Sequence, residues 1–324
     1  MGWIYERYAS SLDEITVFSK DLRRKLGEIA YIGNLVVLET RRSSDGTEKF
    51  LFQLEDEQTI ESVLIPDKDR ITLCISSQVG CAMACRFCFT GKSGFVRNLE
   101  PWEIVEQILT VNRAISPRKI TNVVMMGMGE PLANFDSSVE ALKRIVSLLG
   151  ISKRKITLST AGLVPKILEL ARKAPDINLA VSLNATTDAV RDKIMPVNKR
   201  YPIRSLLEVC RRYPLKPQRR ITFEYVLIGG INDSVEDAHR LGRLLKGIRC
   251  KVNLIPLNPH EGSDLQRPAD ADVLAFKEIL TDNNITALIR ESRGLDILAA
   301  CGQLRGHAPG KRPETERALK PERK

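Results

Sequence analysis

RITLCISSQVGCAMACRFC, residues 70–88, joins an apolar, β-branched run to three cysteines, Cys81, Cys85 and Cys88, spaced four and then three residues apart. A run such as ITLCIS, apolar at nearly every position, fits a strand covered on both faces. The same kind of run recurs as TNVVMMG, KITLSTA, NLAVSL, ITFEYVLI and CKVNLIP. Between these runs lie SSVEALKRIVSLLG, VPKILELARKA, IRSLLEVCRRY, SVEDAHRLGRLLKG and DADVLAFKEILTD, whose apolar residues return at helical spacing. Repeated strand-then-helix units predict an α/β fold on a parallel sheet, either a partial (βα)6-type barrel or a doubly wound open sheet. In a barrel the loop holding the cysteines follows the first strand, on the face where catalytic loops gather.

The chain has seven cysteines and three histidines, His239, His260 and His307, none of them near the triad. No apolar run approaches the roughly 18–20 residues that span a bilayer. The start, MGWIYERYASSLDEI, lacks the pattern of a secretory signal, so the expected compartment is the cytoplasm, where thiols stay reduced. The triad therefore reads as a metal site. A closed zinc centre wants four ligands, and a fourth would have to come from far along the chain. An iron–sulfur cluster held by three thiolates leaves one iron open, and an open metal position can bind a molecule that chelates through an amine and a carboxylate.

Around this centre the chain divides into a helical segment over 1–30, a small antiparallel β extension over 31–69 turning at SSDGT, the barrel over 70–301, and a basic tail over 302–324. TALIRESRG suggests a further edge strand. The formal charge of +10 and pI near 9.3 favour a polyanionic partner such as nucleic acid. Part of that charge sits in the tail, which carries seven Lys or Arg against three Glu and reads as disordered. Aromatic residues make up 5%, which argues against a base-stacking platform, so contact with a nucleic acid is expected through its phosphates, at RRSSDG, SKRK, NKRY and KPQRR.

The cysteine spacing resembles the radical S-adenosylmethionine (radical SAM) superfamily. Within it, RITLCISSQVGCAMACRFC, TNVVMMGMGEPL, SKRKITLSTAG, RDKIMPVNKRY, KVNLIPLNP and RGLDILAACGQLRG resemble, in order, blocks of the RlmN/Cfr family of rRNA and tRNA adenine methyltransferases. The likeness runs from about Gly2 to Gly306. Family members commonly have further residues ahead of WIYERY, so residues 1–30 read as a shortened accessory region.

The resemblance implies a 4Fe-4S cluster on Cys81, Cys85 and Cys88, with SAM on the remaining iron and two SAM used per turnover. It implies SAM contacts from Gly129 and Glu130 in GMGEP, Ser159, the loop Ser182, Leu183 and Asn184, and Asn258. Glu130 matches a partner for the SAM ammonium, and Asn184 stands where many relatives have His. It implies that Cys301 carries a methyl group taken from one SAM and that a second SAM yields the radical that activates it. Cys74 would then release the adduct, leaving a disulfide with Cys301, and Glu61 would accept a proton. Cys210 and Cys250 match nothing and read as packing residues. The implied partners are 23S rRNA, tRNA and an electron donor such as flavodoxin or ferredoxin, acting on a monomer. The rival readings are C8 methylation of the Cfr type and, from another class, a non-catalytic RNA-binding protein stabilised by zinc.

Overall fold

The computed structural model describes residues 1–33, 35–259, 263–304 and 306. His260, His307 and most of the basic tail lie outside the described residues. Twelve strands are present among those described: β1 (Val36–Arg42), β2 (Glu48–Gln53), β3 (Thr59–Asp67), β4 (Arg70–Cys74), β5 (Gln78–Gly80), β6 (Phe95–Asn98), β7 (Asn122–Met125), β8 (Ile156–Thr160), β9 (Asn178–Ser182), β10 (Ile221–Leu227), β11 (Cys250–Pro256) and β12 (Ala287–Ile289). Ten of them form one sheet in the order β1-β2-β3-β4-β7-β8-β9-β10-β11-β12, and β5 pairs with β6 alone.

From β4 to β12 all neighbours are parallel and follow chain order. Every crossover thus steps the same way, whereas a doubly wound sheet reverses at a switch point. The winding is that of a partial barrel, and TALIRESRG supplies the edge strand β12, parallel to β11.

Residues alternate across each strand. In β10, Phe223 and Tyr225 are fully buried, and Tyr225 packs on Phe276 of the helix Asp270–Asp282 with ring centroids 5.3 Å apart. Burying a side chain of this size stabilises by roughly 1.5–3 kcal/mol. Glu224, between them in sequence, points the other way, toward the barrel interior. Side-chain caps start two of the covering helices just beyond the strand ends: Thr187 accepts from the Val190 amide and Ser234 from the Asp237 amide.

The antiparallel strands β1–β3 extend the sheet from β4, burying Phe50, Phe52, Ile60 and Leu64. Beyond β12 the chain returns to this extension. The Gly294 amide donates to Asp45 Oδ2 (2.9 Å), Ser43 Oγ donates to Asp296 Oδ1 (2.6 Å), and Lys49 Nζ donates to the Leu298 carbonyl (3.1 Å). One segment bridges both flanks of the sheet, so the sheet must curve, and residues 290–304 act as a strap over the gap.

The N-terminal segment is less continuous than its pattern predicts. It holds the helix Gly2–Tyr5, a 3-10 turn Leu12–Glu14 and the helix Lys20–Gly27. Glu14 turns back to the amides of Ser10 and Ser11 (2.9 and 3.0 Å), a capping box that closes a single turn.

Candidate active site

The loop after β4 is pinned at several points. The Cys81 amide donates to the Gly94 carbonyl (2.7 Å), the Arg86 amide to Ile194 (3.0 Å) and the Phe89 amide to Gly302 (2.7 Å). The last of these ties the triad loop directly to the loop of Cys301. Gly302 has φ +84, and a Cβ there would meet the Phe87 carbonyl oxygen at 3.0 Å, so a larger residue would push the two loops apart.

Between these loops and the C-terminal ends of the parallel strands lies a cavity of about 170 Å³. Cys81, Cys85 and Cys88 line it together with Gly129, Glu130, Ser159, Ser182, Asn184, Asn258 and Cys301. Loss of water raises all three triad thiols, Cys81 to about 12, and ligation by positive metal would reverse that. Among the described residues no three His, Cys, Asp or Glu side chains converge on one metal ion. Three thiols lining one cavity fit a cluster in which each takes a different iron, while a closed tetrahedral zinc site would need a fourth ligand.

The other residues of the cavity have structural ties as well. Glu130 is buried, and its two oxygens accept from the amides of Leu132 (3.0 Å) and Ala161 (2.6 Å), joining the ends of β7 and β8. Burial raises its pKa against those hydrogen bonds. The Thr160 hydroxyl also bonds to it, so three of the four acceptor sites of the carboxylate are taken and one is left for a further donor. The glycines of GMGEP serve packing: a Cβ on Gly127 would meet the Ile75 carbonyl oxygen at 2.7 Å, and one on Gly129, at φ +101, would meet Gln78 Cβ at 2.6 Å. Asn184 sits at φ +56, a left-handed conformation that Asn tolerates, and its amide is engaged by the Val226 amide (2.8 Å) and Met195 Sδ (3.1 Å). Asn258 reaches the Cys301 carbonyl (3.4 Å) and accepts from Ser292 (2.5 Å), anchoring the strap. Leu183 turns its side chain into the core and offers only backbone here.

Besides Leu183, two sequence-predicted residues lie off this cavity. Cys74 faces a second one of about 80 Å³, which shares Cys88, Met126, Gly127, Arg290, Cys301 and Gly302 with the first. Cys74 and Cys301 therefore look into one space. Burial raises Cys74 to about 12, with Cys301 adding to it, while Cys301, exposed through the cavity mouth, is raised by local desolvation with Arg290 opposing. Glu61 lines neither cavity. It is buried against Lys49 (3.1 Å), and the Gly306 amide approaches its Oε2 (3.4 Å). Cys210 and Cys250 also line neither.

Three residues escaped the sequence reading. Arg191 is fully buried and donates to the carbonyls of Leu183 (2.9 Å), Ala161 (2.8 Å) and Ser182 (3.0 Å), clamping the ends of β8 and β9; desolvation lowers its pKa to about 10. Lys49 and Glu224 are the others. Only Glu224 carries its charge inside an otherwise apolar run, which was the available signal; Arg191 and Lys49 each stand beside other charged residues.

A parallel barrel whose first loop brings three thiols to an apolar-walled chamber defines a radical SAM protein. The profile of the Radical SAM superfamily matches residues 75–242, and that of the ribosomal RNA large subunit methyltransferase N-terminal domain matches residues 1–32. The chain is 52% identical to the dual-specificity RNA methyltransferase RlmN of Pelobacter propionicus, covering 97% of this chain and 90% of the relative. The RlmN of Geobacter sulfurreducens is also 52% identical, with 96% and 86% covered. A radical SAM methyltransferase from Sphaerobacter thermophilus superposes with a TM-score of 0.90 at 44% identity, over 94% of this chain and 91% of that one. The chain belongs to the RlmN family of radical SAM methyltransferases, and membership brings with it a 4Fe-4S cluster and SAM.

Proposed function

We propose that the chain methylates C2 of an adenine in 23S rRNA and in tRNA, with Cys301 as the carrier of the methyl group. The observation that carries this reading is the shared space: Cys301 borders both the chamber of the triad and the smaller cavity of Cys74. The relatives' name, a dual-specificity RNA methyltransferase, supports RNA and more than one substrate.

In this reading Cys81, Cys85 and Cys88 hold the cluster, and Gly129, Glu130, Ser159, Ser182, Asn184 and Asn258 border the bound SAM, with the Leu183 backbone beside them. SAM and cluster together supply a methyl group and, on reduction by a donor such as flavodoxin or ferredoxin, a carbon radical. The chain's own residues do the rest. Cys301 accepts the methyl on Sγ and is joined through it to C2. The adduct loses its C2 proton and one electron, which a bound cluster would take up. Cys74, across the smaller cavity, then attacks Cys301 Sγ: the S–S bond forms as the S–CH2 bond breaks. The electron pair goes to the carbon, which takes a proton and becomes the methyl of the freed base. Glu61 takes the C2 proton; because it sits behind the strap with Lys49, this role requires residues 299–304 to shift once substrate is seated. The buried walls keep water from the reacting atoms, and the target adenine must leave its stack to enter.

Among the described residues no helix is long and apolar enough to cross a membrane, and we place the protein in the cytoplasm as a monomer. The test is anaerobic reconstitution, then incubation with SAM, reductant and 23S rRNA or tRNA, followed by mass spectrometry of nucleosides. The expected product is 2-methyladenosine from both RNAs. 8-Methyladenosine, or a preparation holding zinc without iron, would contradict it.

A further inference from the structure

Glu224 is a buried carboxyl that the proposed reaction leaves without a task. It is the one charged residue of β10, 5% exposed, and it lines the main cavity, in register between Ser182 of β9 and Asn253 of β11. Asn253 Nδ2 donates to its Oε1 at 2.9 Å, while Oε2 is buried without a hydrogen-bond partner among the described residues. Native proteins seldom leave such an oxygen unpaired unless a ligand completes it. Glu224 lines the cavity and Asn253 does not, which leaves Oε2, shut off from water, as the oxygen that a molecule seated in the cavity could engage.

The chemistry of that oxygen follows from its surroundings. Burial raises the carboxyl pKa, against Arg290, Asn253 and Lys251. The amide of Asn253 marks Oε1 as an acceptor, so a neutral carboxyl carries its proton on Oε2. In that form the carboxyl offers the cavity a hydrogen-bond donor, and Cys301 lines the same cavity. A donor at that spot calls for an acceptor beside the carbon that Cys301 approaches. In adenine, N1 and N3 are acceptors, and they flank C2.

We propose that Glu224 is a substrate-binding catalytic residue whose free oxygen donates a hydrogen bond to N1 or N3 of the target adenine. This rests on the adenine-C2 reading above and deepens it. A donor on N1 or N3 seats C2 toward Cys301 and draws electron density from that carbon, which favours attack by a carbon radical. C8, flanked by N7 and N9, gains nothing from it, so the contact also selects the position.

The test pairs residue with base atom. Reconstituted wild type, Glu224→Gln and Glu224→Leu are given a short RNA hairpin whose target adenine is natural, 1-deaza or 3-deaza. RNA affinity is read by fluorescence anisotropy without reductant, methylation by mass spectrometry, and SAM affinity and Cys301 methylation without RNA. Wild type should lose about tenfold in kcat/KM on one deaza RNA, a difference of about 1.4 kcal/mol. Glu224→Leu should lose as much on natural RNA and nothing further on that analogue. Glu224→Gln, which keeps an N–H facing the cavity when Asn253 holds its carbonyl, should retain most activity. SAM affinity and Cys301 methylation should not change. Equal sensitivity of Glu224→Leu and wild type to the analogues overturns the proposal. So does a loss of SAM affinity in Glu224→Leu, which assigns the oxygen to the cofactor's own adenine. If Glu224→Leu fails to load iron, wild type decides alone, since indifference to both analogues overturns it. A wild type that leaves natural RNA unmethylated refutes the adenine-C2 reading itself.

Discussion

At their C-terminal ends the parallel strands present Gly129, Ser159, Ser182 and Asn258 around one chamber, whereas the residues that lead into the same strands are Arg70, Lys153–Lys155, Lys216, Arg219, Arg220 and Arg249. The first end holds polar groups that are buried and paired, such as Glu130, Asn184 and Arg191. The second end is an open basic surface, partly neutralised where Lys216 pairs with Asp176 at 3.2 Å. Chemistry and bulk charge are thus on opposite faces. Of the clusters read as phosphate contacts, SKRK and KPQRR lie on the face away from the chamber, while NKRY follows the helix after β9 and belongs to the chamber end.

The sharpest way to break this contrast is at the triad. Replacing Cys85 with Ala should remove nearly all bound iron and abolish methylation, read by iron and sulfide analysis and nucleoside mass spectrometry; retained iron would show the chamber organised otherwise. Next is Lys49, 5% exposed and paired with Glu61. Lys49→Met takes the cation from a buried carboxylate and should destabilise by about 3–5 kcal/mol in urea unfolding, with Lys49→Met/Glu61→Leu recovering most of the loss. At the clamp, Arg191→Met strips a donor from three carbonyls and should cost roughly 1–3 kcal/mol, with weakened SAM binding by calorimetry.

Smaller effects separate the two faces. Lys199→Glu/Arg200→Glu should weaken RNA binding several-fold and flatten its salt dependence, while Lys153→Glu/Arg154→Glu should change the apparent affinity for a short RNA hairpin little. The smallest effect is at the strap. Desolvation acts against ionisation of Asp45, but hydrogen bonds from Thr47 and from the Gly294 amide outweigh it and bring the pKa from 3.8 to about 2. A folded-state value below the unfolded one means the contribution is complete above about pH 4 and is lost as pH falls toward 2. Asp45→Asn should therefore remove a small pH dependence of stability in that window, seen by thermal unfolding across pH.

Much of the framework was legible because it is local. Each barrel strand is a short apolar run, and the triad, GMGEP, LSTAG and AACGQL follow or flank such runs, so strand direction alone assigns them to one face. The same rule, that residues before a strand lie at the opposite end, would have moved SKRK and KPQRR away from the chamber. What could not be read depends on partners far apart in sequence. Asp45 meets Gly294 and Lys49 meets Leu298, contacts set by the curvature of the sheet. At GMGEP the packing partners of the glycines, Ile75 and Gln78, are likewise far off in sequence. Arg191 hid in a short helix, where nothing marks an arginine as buried.

The account stands on Cys301 as the carrier, and the most direct measurement is the mass of its peptide. Reconstituted protein is incubated with methyl-labelled SAM while RNA is withheld, then digested. The label is predicted on the sulfur of Cys301 and on no other cysteine. A peptide that stays unmodified while the same preparation goes on to methylate RNA, or label that settles on Cys74, would contradict it.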